Sequence, residues 1–163
     1  MHDDDYWMGE ALRLAAKGAA SGEVPVGAVL VHHGVMLAGT YNRPIGLSDP
    51  TAHAEILALR AGGAHLANYR LNDCVLYVTL EPCAMCATAL VHARVARLVF
   101  GAADGRVGAA GSAFCLTAEP RFNHQVAVQG GVRGSECEAL LRGFFHSRRR
   151  RDSDGGLAQL KKQ

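Results

Sequence analysis

Between residues 74 and 101 the chain carries two short apolar runs, Cys74 to Leu80 and Arg97 to Gly101. The segment between them opens on Glu81-Pro82 and continues as an apolar helix to about Ala93. A tight turn cannot join runs that far apart, and a helix in the gap predicts a crossover that lays the two runs side by side and parallel. Parallel strands are covered on both faces and therefore lack a polar alternation, which is how Cys74 to Leu80 reads. The unit demands a sheet with helices packed on it. A chain of 163 residues supplies one domain of that kind. At this length about 70% of the unfolded surface can be buried, so no disulfide is needed to build the core.

The flanking segments extend the pattern. Residues 6 to 19 put Trp7, Ala11, Leu14 or Ala15, and Ala19 on one helical face, after an acidic first turn and before Ser21-Gly22. Val26 to Val31 and Val35 to Tyr41 are joined by His32-His33-Gly34, the signature of a hairpin with glycine in the turn. Asp49-Pro50 reads as a cap and first-turn proline for a helix over Ala52 to Ala61, ended by Gly62-Gly63. Gly101 to Gly111 is a glycine-rich loop, Gln125 to Gln129 a last strand, and Ser135 to about Arg150 a terminal helix. A hairpin leading into alternating helices and strands predicts a three-layer α/β/α sandwich around a central mixed five-stranded sheet. Residues 1–151 form the domain in this reading, and 152–163 a polar, flexible tail.

Composition excludes some classes. No stretch approaches the roughly 20 apolar residues of a membrane helix, so a membrane partner is not expected. The five cysteines are an odd number, and Met1 to Asp5 is acidic where a secretory leader is basic; both point to reduced thiols in the cytoplasm. Charge is segregated. Residues 1–10 carry four acids and no base, whereas 142–163 carry seven bases and two acids. Such a concentration fits an anionic partner, although a solvated helix end accounts for it equally on charge alone.

Two motifs carry chemistry: His53-Ala54-Glu55 and Pro82-Cys83-Ala84-Met85-Cys86. With these residue counts the first is expected by chance roughly 0.3 times and the second roughly 0.005 times, so the second is the informative one. By itself a Cys-x-x-Cys pair is a redox couple or half of a structural zinc site. Pro82 at a helix start, however, sets Cys83 and Cys86 one turn apart on one face, where the positive helix end favours thiolates. His53, at the start of another helix, supplies a third ligand, while Cys74, Cys115 and Cys137 have no paired spacing that would give a fourth. Three ligands leave zinc one open position, and a water there has its pKa lowered to about 7. Glu55 is the nearby proton carrier. Two residues from His53 on a helix is about 200° of rotation, so the carboxylate sits beside the open position and does not ligate the metal.

His-x-Glu with Pro-Cys-x-x-Cys is the signature of the zinc nucleobase deaminases, and the chain resembles the bacterial tRNA adenosine deaminases among them. The resemblance runs through Tyr6-Trp7-Met8, Val24 to Val31, Asn42-Arg43-Pro44-Ile45-Gly46, Asp49 to Glu55, Leu80 to Cys86, Gly108-Ala109-Ala110-Gly111-Ser112 and Phe144-Phe145, leaving the final dozen residues unmatched. It implies a cytidine-deaminase-like fold, a homodimer with one Zn2+ per subunit, and conversion of the wobble adenosine of a tRNA anticodon, expected to be that of an arginine tRNA, to inosine and ammonia. By the same resemblance His53, Cys83 and Cys86 hold the metal and Glu55 is the catalytic acid and base. Asn42, Ala54 and Pro82 bind the base, and Asp104, Arg106, Asn123, Phe144, Arg148 and Arg149 form the RNA surface.

Plainer readings stand beside these. Asn42 could be a turn residue before Arg43-Pro44. Leu140, Leu141, Phe144 and Phe145 form a stripe at helical spacing, which is more often core than a stacking platform, so at least one phenylalanine is expected to be buried. Arg106 stands where lysine is also usual in the family. Two functions from other classes share the motifs: a zinc deaminase of a free nucleobase or nucleoside (guanine, cytosine or cytidine), and a non-catalytic zinc module that binds RNA.

Overall fold

The computed structural model describes residues 1–160. The first helix, α1 (Asp4–Ala20), is capped by the Asp3 carboxylate, which accepts from the Tyr6 N–H at 2.9 Å. Its inward face runs Trp7, Met8, Ala11, Leu14, Ala15 and then Gly18; expected Ala19 is only half-buried. The hairpin pairs β1 (Gly27–His32) with β2 (Val35–Tyr41) around His33 and Gly34, both at positive φ, as a two-residue turn between twisted strands requires. A short helix, α2 (Pro44–Leu47), not foreseen from the sequence, follows.

The next helix departs from expectation at both ends. It is α3 (Ala54–Leu66), with His53 in extended conformation as its N-cap. Asp49 does not cap it; its carboxylate accepts from the backbone N–H and the hydroxyl of Thr51, closing a local turn. Nor do Gly62-Gly63 stop it: a Cβ at Gly62 would collide with Leu30 of β1, so this glycine serves close packing of helix on sheet.

The predicted crossover forms from β3 (Cys74–Leu80), α4 (Ala84–His92) and β4 (Arg97–Ala102), with β3 and β4 parallel. A single 3-10 turn over Leu116–Ala118 precedes β5 (Ala127–Gln129), shorter than expected and parallel to β4. The terminal helix α5 (Gly134–Leu160) continues past Arg150, so the boundary drawn at residue 152 falls inside a helix; 161–163 lie outside the described residues.

Strand order is β2-β1-β3-β4-β5, with β1 antiparallel to both neighbours. Alternation along the strands separates two cores. Ala28, Leu30, Leu76, Val78, Leu98 and Phe100 pack with α3 and α4, while Val29, Val31, Tyr77 and Val99 pack with Trp7, Met8, Ala11 and Leu14 of α1 and Cys137 of α5. This is the three-layer α/β/α sandwich with a mixed five-stranded sheet. Of the α5 stripe, Phe144 is half-buried and Phe145 is 44% exposed, so the expectation of a buried phenylalanine does not hold in this chain. Because β1 runs against both neighbours, its start, the end of β2 and the end of β3 lie together. That end of the sheet carries the site.

Candidate active site

Two helix starts meet there. Leu80 ends β3, and Glu81-Pro82 leads straight into Cys83, the N-cap of α4, with Cys86 in the first turn. His53 caps α3 in the same way, its extended backbone (φ −69°, ψ 151°) turning the ring out of the helix. His53 Nδ1 lies 3.6 Å from Cys83 Sγ and 3.5 Å from Cys86 Sγ, and the three ligand atoms all fall within 4.8 Å of one another. Ligands at zinc distances of about 2.3 Å for sulfur and 2.0–2.1 Å for nitrogen, spread tetrahedrally, stand about 3.6 Å apart. The separations fit that ion, as does the softness of two thiolates beside an imidazole. Cys74 and Cys137 are buried elsewhere and Cys115 is exposed, so among the described residues these cysteines add no fourth ligand.

The electrostatics of the cluster follow from its crowding. Cys83 accepts from the Cys86 thiol and from His53, which hold it well below the usual thiol range, at about 4. Cys86 is pushed far up because it donates to Cys83 and is buried. Hydrogen bonding to Cys83, with the negative charges of Glu55 and Cys83 nearby, raises the His53 imidazole. Glu55 is 4% exposed, and burial lifts its carboxyl to about 7 against the opposing pull of its own backbone N–H and of His53. A carboxyl beside a metal site and able to change protonation near neutrality is suited to moving protons. His53 is outside the helix and Glu55 inside it, so their divergence comes from the cap geometry and not from helical rotation.

The wall around the cluster is held by side chains from β2 and the residue that follows it. Asn42 Oδ1 accepts from the Ala54 N–H at 2.9 Å and Thr40 Oγ1 donates to the Ala54 carbonyl at 2.7 Å, pinning both polar groups of the residue between His53 and Glu55. Asn42 thus keeps both of its amide N–H donors free for a ligand. Thr40 was not anticipated from sequence; a threonine two residues before Asn42 carries no signal. Buried Glu23 accepts from Gly46 N–H at 2.7 Å and Ile45 N–H at 3.4 Å, tying α2 against the chain that enters β1. Pro82 is buried, and its carbonyl accepts from Ala109 N–H at 2.8 Å.

Comparison with known proteins agrees with this geometry. A sequence profile of the cytidine and deoxycytidylate deaminase zinc-binding region matches residues 1–102. The chain belongs to the cytidine and deoxycytidylate deaminase family. Among relatives, the tRNA-specific adenosine deaminase of Haemophilus influenzae is 51% identical over 90% of this chain and 85% of its own. A solved tRNA:A34 deaminase, from work on A-to-I editing at the wobble position of transfer RNA, superimposes with a TM-score of 0.81 at 42% identity, covering 83% of this chain and 99% of the other. A guanine deaminase from Nitrosomonas europaea gives a TM-score of 0.75 at 28% identity over 88% and 85% of the two chains.

The remaining residues singled out from sequence are dispersed around this deaminase site. Asp104 closes its own turn, its carboxylate accepting from the backbone N–H of Arg106 and Val107, and Arg106 is exposed. Phe144, Arg148 and Arg151 of α5 line a cleft of about 610 Å³ with Ala19, Ala20 and Gly22, at the end of α1 that leads to Glu23. The Arg148 guanidinium lies over the Phe144 ring, 5.4 Å from its centroid, and Arg149 is exposed. Asn123 is not brought to the cluster. It lines a cavity of about 250 Å³ with Thr88, His92 and Arg94, at the far end of α4.

Proposed function

We propose that this chain is a zinc-dependent hydrolase that deaminates adenosine to inosine at the wobble position of a tRNA anticodon, that of an arginine tRNA, releasing ammonia. The observation that carries it is the buried Glu55 carboxyl beside a three-ligand His53, Cys83 and Cys86 cluster, in a chain similar along nearly its whole length to tRNA-specific adenosine deaminases. Held by His53, Cys83 and Cys86, one zinc ion per subunit would supply a Lewis acid that lowers the pKa of water. Glu55 takes a proton from the attacking water as the C6–O bond forms, and delivers it to the ring nitrogen N1. Glu55 then takes the remaining proton of that oxygen and passes it to the 6-amino group, so that C6=O forms as the C6–N6 bond breaks and ammonia leaves. Asn42 offers its amide donors to the edge of the base, which is held out of its stack against the walls formed at Ala54 and Pro82. Unstacking is cheapest in an already single-stranded loop, which suits an anticodon.

The anticodon stem-loop is the partner in this reading. Asp104, Arg106, Asn123, Phe144, Arg148 and Arg149 face it, the arginines meeting phosphates and Phe144 a base. The chain acts as a homodimer. An apolar cleft of about 590 Å³ between α3 and α4, lined by Ile56, Leu59, Ala64, Tyr69, Ala89 and His92, is the face a second copy would cover. Tyr69 and His92 also line the Asn123 cavity, so that asparagine serves the partner's site more readily than its own. No helix among the described residues is long and apolar enough to cross a membrane, and the cytoplasm is the compartment proposed. The deaminase domain is proposed to span residues 1–151, with α5 continuing beyond it to Leu160.

The test is to sequence an arginine tRNA with anticodon ACG after incubation with the zinc-loaded protein, alongside free adenosine, cytidine and guanine monitored for ammonia. The wobble adenosine should read as guanosine, with no ammonia from the small molecules. The likeness to a guanine deaminase favours one second reading, a free-base deaminase. Ammonia from guanine with an unchanged tRNA would establish it and discard the RNA surface.

A further inference from the structure

Glu81 stands between the last residue of β3 and Pro82, immediately before both cysteine ligands, and is 2% exposed. One carboxylate oxygen accepts from the Asp104 N–H at 2.9 Å; the other accepts from Ser112 N–H at 3.0 Å and Ala110 N–H at 3.3 Å. No cation pairs with it among the described residues. Its hydrogen bonds go to backbone N–H groups of one loop, residues 104 to 112. Gly108 lies against the same carboxylate, where a Cβ would overlap Glu81 Oε2 and the Asp104 carbonyl. Gly108 is therefore glycine because it lies against a carboxylate, whereas Gly111 has open space and is glycine for its backbone, at φ 131°. The main chain adds bonds in the same place, Ala109 N–H to the Pro82 carbonyl and Glu81 N–H to the Ala102 carbonyl, both 2.8 Å.

Two stretches of chain with different duties are joined here. One carries Cys83 and Cys86; the other carries Asp104, Arg106 and the exposed Val107 and Phe114. A loop with this much exposed surface is ordered only if its backbone donors are satisfied from inside. A single side chain satisfies three of them. An amide could not: an NH2 group would face an N–H donor on one side or the other, so isosteric Glu81→Gln breaks at least one charge-assisted bond without leaving a cavity.

We propose that Glu81 is a positioning residue, whose carboxylate sets the substrate-facing loop at a fixed distance from the metal-binding helix start and acts on RNA binding, leaving the chemical step alone. The proposal rests on the RNA reading above. The test compares the wild-type holoenzyme with Glu81→Gln on an anticodon stem-loop, reading kcat and KM separately together with zinc content and hydrogen exchange at Asp104, Ala110 and Ser112. KM should rise about tenfold or more, the loss expected of one charge-assisted hydrogen bond. The value of kcat should stay within about threefold, zinc at one per chain, and exchange at the three amides should accelerate. Gly108→Ala, which crowds the carboxylate from the loop side, should raise KM in the same way, and the double variant should be no worse than the poorer single one. Unchanged KM or unchanged amide protection in Glu81→Gln overturns the role, as do multiplicative losses in the double variant. Loss of zinc or of the fold in both single variants would make Glu81 a folding element and also overturn it. Wild-type failure on the stem-loop sinks the RNA reading and this role with it, while the exchange data still report whether the clamp exists.

Discussion

The two ends of the sheet handle charge in opposite ways. At the end away from the site, Asp4 and Arg97 form a two-pronged ion pair at 2.7 and 2.8 Å, to which the Tyr77 hydroxyl adds a hydrogen bond at 2.9 Å, all partly exposed to solvent. At the site end, Glu23, Glu55 and Glu81 are 2–4% exposed, and none forms an ion pair among the described residues. Glu23 and Glu81 are satisfied by loop N–H groups; Glu55 has its own N–H and the Cys86 thiol beside it. Burial with no loop to hold, outweighing the pull of His53, is what lifts the Glu55 carboxyl to about 7. Among the described residues Arg106, Arg148 and Arg149 at the site end form no ion pair; all three are exposed, Arg148 lying over the Phe144 ring, so the end that consumes acids internally presents bases externally. One end pairs its charges and the other separates them, acids inside and bases outside.

The sharpest way to break this contrast is at the metal. Cys86→Ala should abolish zinc binding and with it turnover, read by metal analysis of the purified protein; a variant still fully loaded with zinc would refute the ligand role. Next comes the carboxyl itself. Glu55→Ala should keep one zinc per chain and lose ~10² to 10⁴ in kcat, the range general acid and base catalysis supplies. Near-normal turnover would move Glu55 into the company of Glu23 and Glu81, as structure without chemistry.

Much of this contrast was legible in the sequence, and its limits are physical. The crossover and the hairpin announced themselves because apolar runs, glycine turns and a proline at a helix start are local signals. The metal cluster was legible because Pro-Cys-x-x-Cys is improbable by chance and leaves one gap that His53 fills. Helix ends failed where tertiary packing overrode local preference: Gly62 looks like a stop and is instead a place where helix meets strand. Thr40, Glu23 and Glu81 were missed as parts of the site because what they bond to is backbone far along the chain, and a backbone N–H has no letter in the sequence. Asn42 was found for its resemblance to a base-binding residue, while its bond to Ala54 became visible only when β2 and α3 were brought together.

Asn42→Ala sharpens the contrast by removing a neutral tie at the site end. It should lose the bond to the Ala54 N–H, costing about 1 kcal/mol as loss of a helix cap does and lowering Tm by about 2–4 °C, with a further rise in KM because the base loses a hydrogen-bond donor. An unchanged Tm would mean the tie contributes nothing. Smaller again is the exterior. Replacing Arg148 and Arg149 by alanine should lower the salt dependence of RNA binding by ~0.7 in log–log slope for each phosphate no longer neutralised. An unaltered slope would return the arginine run to a solvated helix end, and the site end would then lack its external bases.

The smallest effect belongs to the opposite end and tests whether its neutrality matters only for folding. The Arg97 guanidinium beside Asp4 holds that carboxyl below its ordinary value of 3.8. A depressed carboxylate contributes stability that is fully present above its unfolded value and is lost as pH falls through the folded one. With side chains about a third exposed, solvent screening keeps the pair within ~0.2–1 kcal/mol. Asp4→Asn should therefore lower Tm by no more than a few degrees between pH 5 and 7, and the difference from wild type should shrink as pH drops below about 4. Deamination by the variant should match wild type at 25 °C, because Asp4 lies across the sheet from both helix starts. A gap in Tm that persisted at pH 3 would show that packing of α1 and not its charge is what Asp4 secures, and a fall in turnover would mean that the two ends are mechanically coupled.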